Sequence, residues 1–475
     1  MLDPMNSSKP RYEVPTIVRN ASGLMNKVGH RGSLESRTQI DGVDVDSLIK
    51  DFGSPLFVFS EGTLKRSIDE AHSALEKHLS QSQLCWSYKT NYLGAICAIF
   101  HRSGSLAEVV SGMEYEKARR LGVPGNQIVF NGPAKSEAEL QRAIQEGAII
   151  HADHFEELRL IERIAQAART RPKVGLRVAL DAGIVPRWDR FGFSLESGVA
   201  EQAARFITDS PHIELGGLHT HIGTYIVDPR AYGRAATKLA EFAEYIEATL
   251  GCRPTHLDLG GGFASTNSLA TQYQSGALVP RQEEYIREIG RALAQQRGAK
   301  LPVYLETGRA LVDDCGTLVS TVLASKRLPT GRNSIVIDAG VNLLFTAWWY
   351  RLELQPCCPS DGFIEDTTVY GPLCMNIDCV RESVALPPLS AGDAVLIRPV
   401  GAYTFTQSMQ FIHLRPACVL IGESGDVELI RRKETLEDLI GPEIVPERLA
   451  IERARSNFSD HHDGLRDVRS GVVVQ

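Results

Sequence analysis

From Pro55 to about Glu306, short apolar runs alternate with longer amphipathic stretches, and this alternation restricts the fold more than any other feature. Nine runs read as strands: Leu56-Phe57-Val58-Phe59, Leu84 to Tyr88, Ala107 to Val110, Gln127 to Phe130, Ala148 to Ile150, Val174 to Val178, Leu215 to His219, His256 to Leu259 and Val303 to Leu305. Between them, Gly62 to His78, Glu137 to Gln145 and His154 to Ala168 carry helical spacing. Strand and helix in alternation over this length predict a (β/α)8 barrel, whose strand ends carry the chemistry. Lys89, His221, Gly260 and Glu306 each follow an apolar run. After Leu311 the texture turns to strand-like segments (Ser334 to Asp338, Ala394 to Arg398, Ala417 to Ile421) punctuated by turns such as Ser390-Ala391-Gly392-Asp393, which predicts a separate β-domain.

A chain of 475 residues exceeds one ordinary core. The expected division is an N-terminal segment over 1–54, a barrel over 55–310, a β-domain over 311–437 and a polar tail over 438–475. The balance of 51 basic and 58 acidic side chains gives a net charge of −7, and no basic stripe points to nucleic acid. The nine cysteines are scattered without a CxxC pair, which argues against a zinc site and for a reducing compartment. No apolar run reaches the roughly 18 residues of a membrane helix, and Met1 to Pro15 has no apolar signal core. A cytoplasmic protein is expected.

Motifs with chemical content follow in order. Lys89 lies in Cys85-Trp86-Ser87-Tyr88-Lys89-Thr90-Asn91, followed by His219-Thr220-His221-Ile222-Gly223-Thr224 and Asp258-Leu259-Gly260-Gly261-Gly262-Phe263. Then come Glu306-Thr307-Gly308-Arg309, Gly371-Pro372-Leu373-Cys374 and Gly401-Ala402-Tyr403. Taken singly, each has a plain reading. Lys89 could be a snorkelling surface lysine, Glu306 a helix-start glutamate, the triple glycine a flexible turn and Cys374 a packed thiol. In this order they resemble the ornithine/diaminopimelate decarboxylase family, which uses pyridoxal 5'-phosphate (PLP), from about Asp41 to about Gly422.

The resemblance implies an alanine racemase-like barrel with a C-terminal β-domain, to which a segment near Gly29 to Asp51 also contributes. It implies that Lys89 forms a Schiff base with the coenzyme and, once displaced, shuttles protons. A carboxylate raises the proton affinity of the pyridine nitrogen, and Glu306 takes that place, with Thr307 in the position of the family's proline. Racemases of similar fold carry arginine there, so glutamate favours decarboxylation. Gly260, Gly261 and Gly262 form a strand-to-helix junction suited to a phosphate, with Arg309, Tyr403 and Thr224 as further phosphate contacts. His221 corresponds to the histidine stacked on the coenzyme ring. Glu108, with Ser111 nearby, organises Lys89 or the ring surroundings. His219 reads equally as a core or supporting residue, and Asp258 reads as structural. Cys374 corresponds to a cysteine that reaches the partner subunit's site and protonates the carbanion, so a homodimer with shared sites is implied.

Substrate positions depart from the family. Diaminopimelate and ornithine decarboxylases carry an acid after the cysteine to receive the distal ammonium; here Met375 follows, and it cannot accept that bond. Thr346 stands where the diaminopimelate enzymes carry an arginine, although Tyr350 matches; Arg309 and Tyr403 complete the expected substrate contacts. Arg351, Arg415, Trp348 and Gln407 are candidate replacements. The sequence therefore suggests a PLP-dependent α-decarboxylase of an L-amino acid or amino-acid conjugate other than free diaminopimelate or ornithine. The Ser-Tyr-Lys-Thr-Asn variant resembles members that serve siderophore or other specialised biosynthesis. Diaminopimelate decarboxylase itself and a non-catalytic PLP-binding regulatory homologue are the alternatives.

Overall fold

The computed structural model describes residues 36–269, 279–296, 300–358 and 364–449. Readings that fall before residue 36 or after residue 449 lie outside them. The elements run β1 (Leu56–Ser60), α1 (Glu61–His78), β2 (Ser82–Ser87), α2 (Gly94–Arg102), β3 (Leu106–Val109) and α3 (Gly112–Arg120). Next come β4 (Ile128–Phe130), α4 (Glu137–Gln145), β5 (Ile149–Ala152), α5 (Phe155–Ala168), β6 (Lys173–Ala179) and α6 (Val199–Asp209). They continue as β7 (Glu214–His219), α7 (Pro229–Leu250), β8 (Leu257–Asp258), α8 (Gln282–Ala294), β9 (Val303–Leu305) and α9 (Arg309–Val312).

Eight of these strands close a parallel barrel in the order β2-β3-β4-β5-β6-β7-β8-β9, with β9 returning to pair with β2. Register fixes the ring: Leu305 pairs with Leu84, Ser87 with Glu108, and His219 with both Arg177 and Asp258. The helices follow local sequence. Ser60 caps α1 by accepting the Thr63 amide, and Leu64, Ile68, Ala71 and Leu75 bury the inner stripe. A reciprocal Ser136–Glu139 capping box starts α4. His154 proves to be the cap of α5, its Nδ1 accepting the Glu157 amide at 3.1 Å.

The first of the nine runs corrects the expected start of the barrel. β1 joins the β-rich region, antiparallel to β10 (Gly316–Arg327) and parallel to β16 (Cys418–Ile421). All five residues of Leu56–Ser60 are buried, as a strand flanked on both sides and covered on both faces must be. The rest of this sheet is β11 (Asn333–Ile337), β12 (Glu353–Pro356), β13 (Glu365–Tyr370), β14 (Cys379–Leu386), β15 (Ala394–Arg398) and β17 (Val427–Arg431). Its order is β14-β13-β11-β10-β1-β16-β17, with β15 also on β10 and β12 on β15. Helix Val45–Phe52 packs Val45 and Leu48 into the same core as Leu56, Val58 and Val419. Barrel and β-region form one compact unit ending at Arg432, ahead of the tail boundary suggested by sequence. In the unit from Lys433, helix Leu436–Ile440 opens with a Thr435–Asp438 capping box. No helix among the described residues is long and apolar enough to cross a membrane.

One buried carboxyl in the barrel wall gives a pH test. Glu114, in the first turn of α3, accepts the Val110 amide at 2.8 Å, and burial pushes its pKa up from 4.5 to about 7. A folded-state pKa above the unfolded one contributes stability that is complete below about pH 4.5 and lost as pH rises through about 7. Glu114→Gln keeps the acceptor and never ionises. The variant is expected to unfold about 1–3 kcal/mol later than the native protein at about pH 8, with the difference closing towards pH 4.5. Urea midpoints across that range check it; an equal difference at both ends contradicts the assignment.

Candidate active site

The polar side chains of the barrel gather at the C-terminal ends of its strands. Lys89 lies two residues beyond β2 and reaches across to Glu108 on β3, its Nζ donating to both carboxylate oxygens at 3.0 and 2.8 Å. Glu108 is fully buried, whereas the Lys89 side chain keeps 38% exposure towards the mouth. Burial pushes the Lys89 ammonium down, but Glu108, Glu306 and Tyr403 outweigh it and its pKa moves up. Glu108 is pushed up by burial against the pull of Lys89. The β-region grips this segment. Tyr403 donates its amide to the Thr90 carbonyl at 2.8 Å, Thr406 its hydroxyl to the Lys89 carbonyl at 2.9 Å, and Asn91 its amide to the Gly401 carbonyl at 3.0 Å. The asparagine of the lysine motif thus ties the barrel to the β-region.

Glu306 follows β9 and is 5% exposed. Its Oε1 accepts from the Asn131 side-chain amide, and its Oε2 lies 3.5 Å from His219 Nε2. Asp258 is also buried here; one oxygen accepts the Gly260 amide at 2.9 Å and the other has no hydrogen-bond partner. Burial, with Glu306 beside it, pushes the Asp258 carboxyl well up. His219, Asp258 and Glu306 bring one ligand-type atom each within 4.8 Å of one another. Both His219 nitrogens lack hydrogen-bond partners, and burial pushes its pKa well down. His221 Nδ1 accepts the Gly261 amide at 3.3 Å; burial lowers its pKa to about 3, so its ring is neutral. Trp188 stands edge-on to it at 5.9 Å.

The triple glycine is required by packing. Gly260 and Gly262 take φ of +64° and +102°. A Cβ at Gly261 would stand 2.5 Å from the Glu306 carbonyl, and one at Gly262 2.2 Å from that of Gly223. The Gly260 and Gly261 amides already donate to Asp258 and His221. Arg309, 7% exposed at the start of α9, lies 4.6 Å from the Tyr350 ring and 4.7 Å from that of Tyr403. Its Nε and Nη1 lack hydrogen-bond partners among the described residues, which suits a dianion at this spot. Thr224 is exposed.

Residues 65–313 match the family described as pyridoxal-dependent decarboxylase, pyridoxal binding domain. The chain belongs to this family. It is 27% identical to a diaminopimelate decarboxylase of Bacillus subtilis over 430 residues, which is 86% of this chain and 96% of the relative. It is 29% identical to a diaminopimelate decarboxylase of Methanocaldococcus jannaschii over 87% of this chain and 97% of the relative. A crystal structure of the diaminopimelate decarboxylase from M. jannaschii superposes with a TM-score of 0.80 at 28% identity, covering 88% of this chain and 99% of that one. The protein is a PLP-dependent amino-acid decarboxylase. Arg309, whose Nε and Nη1 make no hydrogen bond among the described residues although Nη1 lies 3.8 Å from Asp313, and the carboxyl groups of Glu306 and Glu108 fit the charges of the coenzyme.

Outside the barrel, Cys374 and Met375 lie on the turn from Gly371 to Asp378, Cys374 exposed and Met375 half-buried. Buried Asp378 builds that turn by accepting the amides of Val341 at 2.8 Å and Leu373 at 2.6 Å. Thr346 is buried, its hydroxyl 3.0 Å from that of Thr404. Tyr350 is buried beside Tyr225. Arg415 is held by Ser408 at 3.0 Å, and Trp348 is exposed. The decarboxylase's barrel also contains polar residues that the motif reading missed: Asn131, His151, His256 and Arg177. Arg177 lies 3.6 Å from Asp153 and 4.6 Å from the Phe191 ring, and it helps depress both His219 and His221. Their signal in the sequence is a polar side chain inside or just beyond an apolar run, as in Phe130-Asn131 and Leu176-Arg177-Val178.

Proposed function

We propose that Lys89 is the residue that carries the coenzyme covalently, that Glu306 faces the pyridine nitrogen, and that His221 lies against the ring. The convergence of Lys89–Glu108 and Glu306 at one barrel mouth is the observation that carries this reading. PLP, when bound, accepts the electron pair left on the α-carbon as CO2 departs. In this reading Glu306, buried beside His219 and Asp258, keeps the nitrogen protonated by charge pairing. Arg309 holds the phosphate, with the Gly260-Gly261-Gly262 junction, Thr224 and Tyr403 beside it. Glu108 holds Lys89 in position as the substrate's amino group displaces it. The partner's Cys374 would deliver a proton to the α-carbon, and Lys89 would retake its place on the coenzyme as the amine is released. In this reading the active form is a homodimer, and the exposure of Cys374 on a turn outside the barrel supports it. The proposed compartment is the cytoplasm.

The substrate reading is an L-amino acid whose distal end carries no free ammonium or carboxylate, such as an acylated diamino acid of a specialised pathway. Three features support it. Met375 offers no acceptor for an ammonium, the Thr346 hydroxyl is already shared with Thr404, and Trp188, 41% exposed beside His221, offers an apolar face. Catalytic efficiency is expected to be about 10–100-fold higher on Nω-acylated ornithine or lysine than on free ornithine, lysine or meso-diaminopimelate, measured as CO2 release. The reverse order favours the second reading, a diaminopimelate decarboxylase. That reading is supported by likeness along nearly the whole chain to the B. subtilis and M. jannaschii enzymes and by the presence of Tyr350.

A further inference from the structure

We infer that a one-way chain of hydrogen bonds, running through the barrel interior from Thr255 by way of His256, His151 and Asn131, holds Glu306 fixed in orientation. Barrel interiors are ordinarily filled with layers of branched apolar side chains. Here two imidazoles take that space. Glycines make room for them: a Cβ at Gly175 would meet His151 Cδ2 at 2.2 Å, and one at Gly217 would meet His256 Cε1 at 2.2 Å. His256 stacks on Tyr304 with ring centroids 4.3 Å apart, and His151 stacks on His219 at 5.1 Å.

The direction of the chain follows from what each group can donate. Asn131 presents its NH2 to Glu306 Oε1, which leaves Oδ1, an acceptor only, to accept from His151 Nδ1–H at 2.6 Å. A neutral imidazole has one N–H, so His151 Nε2 is bare and accepts from His256 Nε2–H at 3.0 Å. His256 Nδ1 is then bare and accepts the Thr255 hydroxyl at 2.9 Å. Burial supports the neutral forms, lowering His151 well below its ordinary value and His256 to about 4. Every donor therefore points at Glu306. The far end is solvated, because Thr255 is exposed and, with His256 and Tyr304, borders a cavity of about 420 Å3 at the opposite mouth. Each bond polarises the next towards the carboxylate, and an amide in the series blocks proton relay. Asn131, His151, His256 and Thr255 are thus positioning residues acting through Glu306.

The inference rests on the reading that Glu306 faces the pyridine nitrogen, and one measurement separates the two. A neutron structure of the holoenzyme is expected to show hydrogen on His151 Nδ1 alone, on His256 Nε2 alone, and on the pyridine nitrogen facing Glu306. Hydrogen on His151 Nε2, or on both nitrogens of either ring, overturns the chain. The expected imidazole hydrogens with a bare pyridine nitrogen overturn the Glu306 reading, and with it the role given to the chain. Asn131→Leu removes the last donor and is expected to weaken PLP retention about 10–100-fold in equilibrium dialysis, the range for outer partners of a site ligand. His256→Phe keeps the stack on Tyr304 and breaks the chain further out, giving a smaller loss in the same direction. Unchanged retention in both variants, each folded by circular dichroism, overturns the inference.

Discussion

Lys89→Ala is expected to lose decarboxylation about 10^4-fold or more and to release the coenzyme on gel filtration, with the visible absorbance of the bound coenzyme gone. The substitution removes the amine and also strands Glu108, a fully buried carboxylate whose two oxygens both accept from Lys89. Loss of activity alone would therefore be ambiguous. Lys89→Arg resolves it, because arginine restores a cation opposite Glu108 but offers no nucleophilic amine. Its CO2 release should be as low as that of alanine while its thermal midpoint recovers. An arginine variant that turns over substrate at near-native rates would show that Lys89 serves only as a counter-ion, and the proposed chemistry would fail.

Glu306→Gln is expected to lower kcat about 10^2–10^3-fold, the scale for removing one well-placed electrostatic partner of a developing charge. Glutamine fills the same volume and still offers Asn131 an oxygen, so the packing around β9 stays intact. It cannot hold a proton on a pyridine nitrogen through charge, and the neutral ring is a weaker electron acceptor. KM should move much less than kcat, because the carboxylate acts on charge that develops as CO2 leaves. Stopped-flow CO2 release on the best substrate of the panel checks this. A glutamine variant within tenfold of native kcat would sink the assignment.

Much of the barrel was legible because its strands are short apolar runs between amphipathic helices, and both periodicities survive in the sequence. The limits of α4 coincide with the stretch marked by Ser136 and Glu139, where cap and periodicity agree. β1 misled for the same reason that strands are readable. Leu56-Phe57-Val58-Phe59 is a buried strand, and nothing local in it states whether its neighbours lie next along the chain or beyond residue 310. The motif residues could be placed at strand ends by counting. Partnerships could not: that Asn131 and His219 meet Glu306, or that Gly401 binds Asn91, depends on the closure of the ring and on the seating of the β-region. His219 read as a core or supporting residue and His151 and His256 drew no reading, because their partners lie on other strands.

The placement of β1 bears on how this chain is made. Leu56–Ser60 leaves the ribosome before any of the barrel strands, yet both of its hydrogen-bonding neighbours, Gly316–Arg327 and Cys418–Ile421, emerge after the whole barrel has been synthesised. During that interval a largely apolar segment has both edges bare, the kind of surface that recruits other nascent chains. Production in a heterologous host should accordingly be limited by chaperone supply and slow translation late in the message, more than by the intrinsic firmness of the finished molecule.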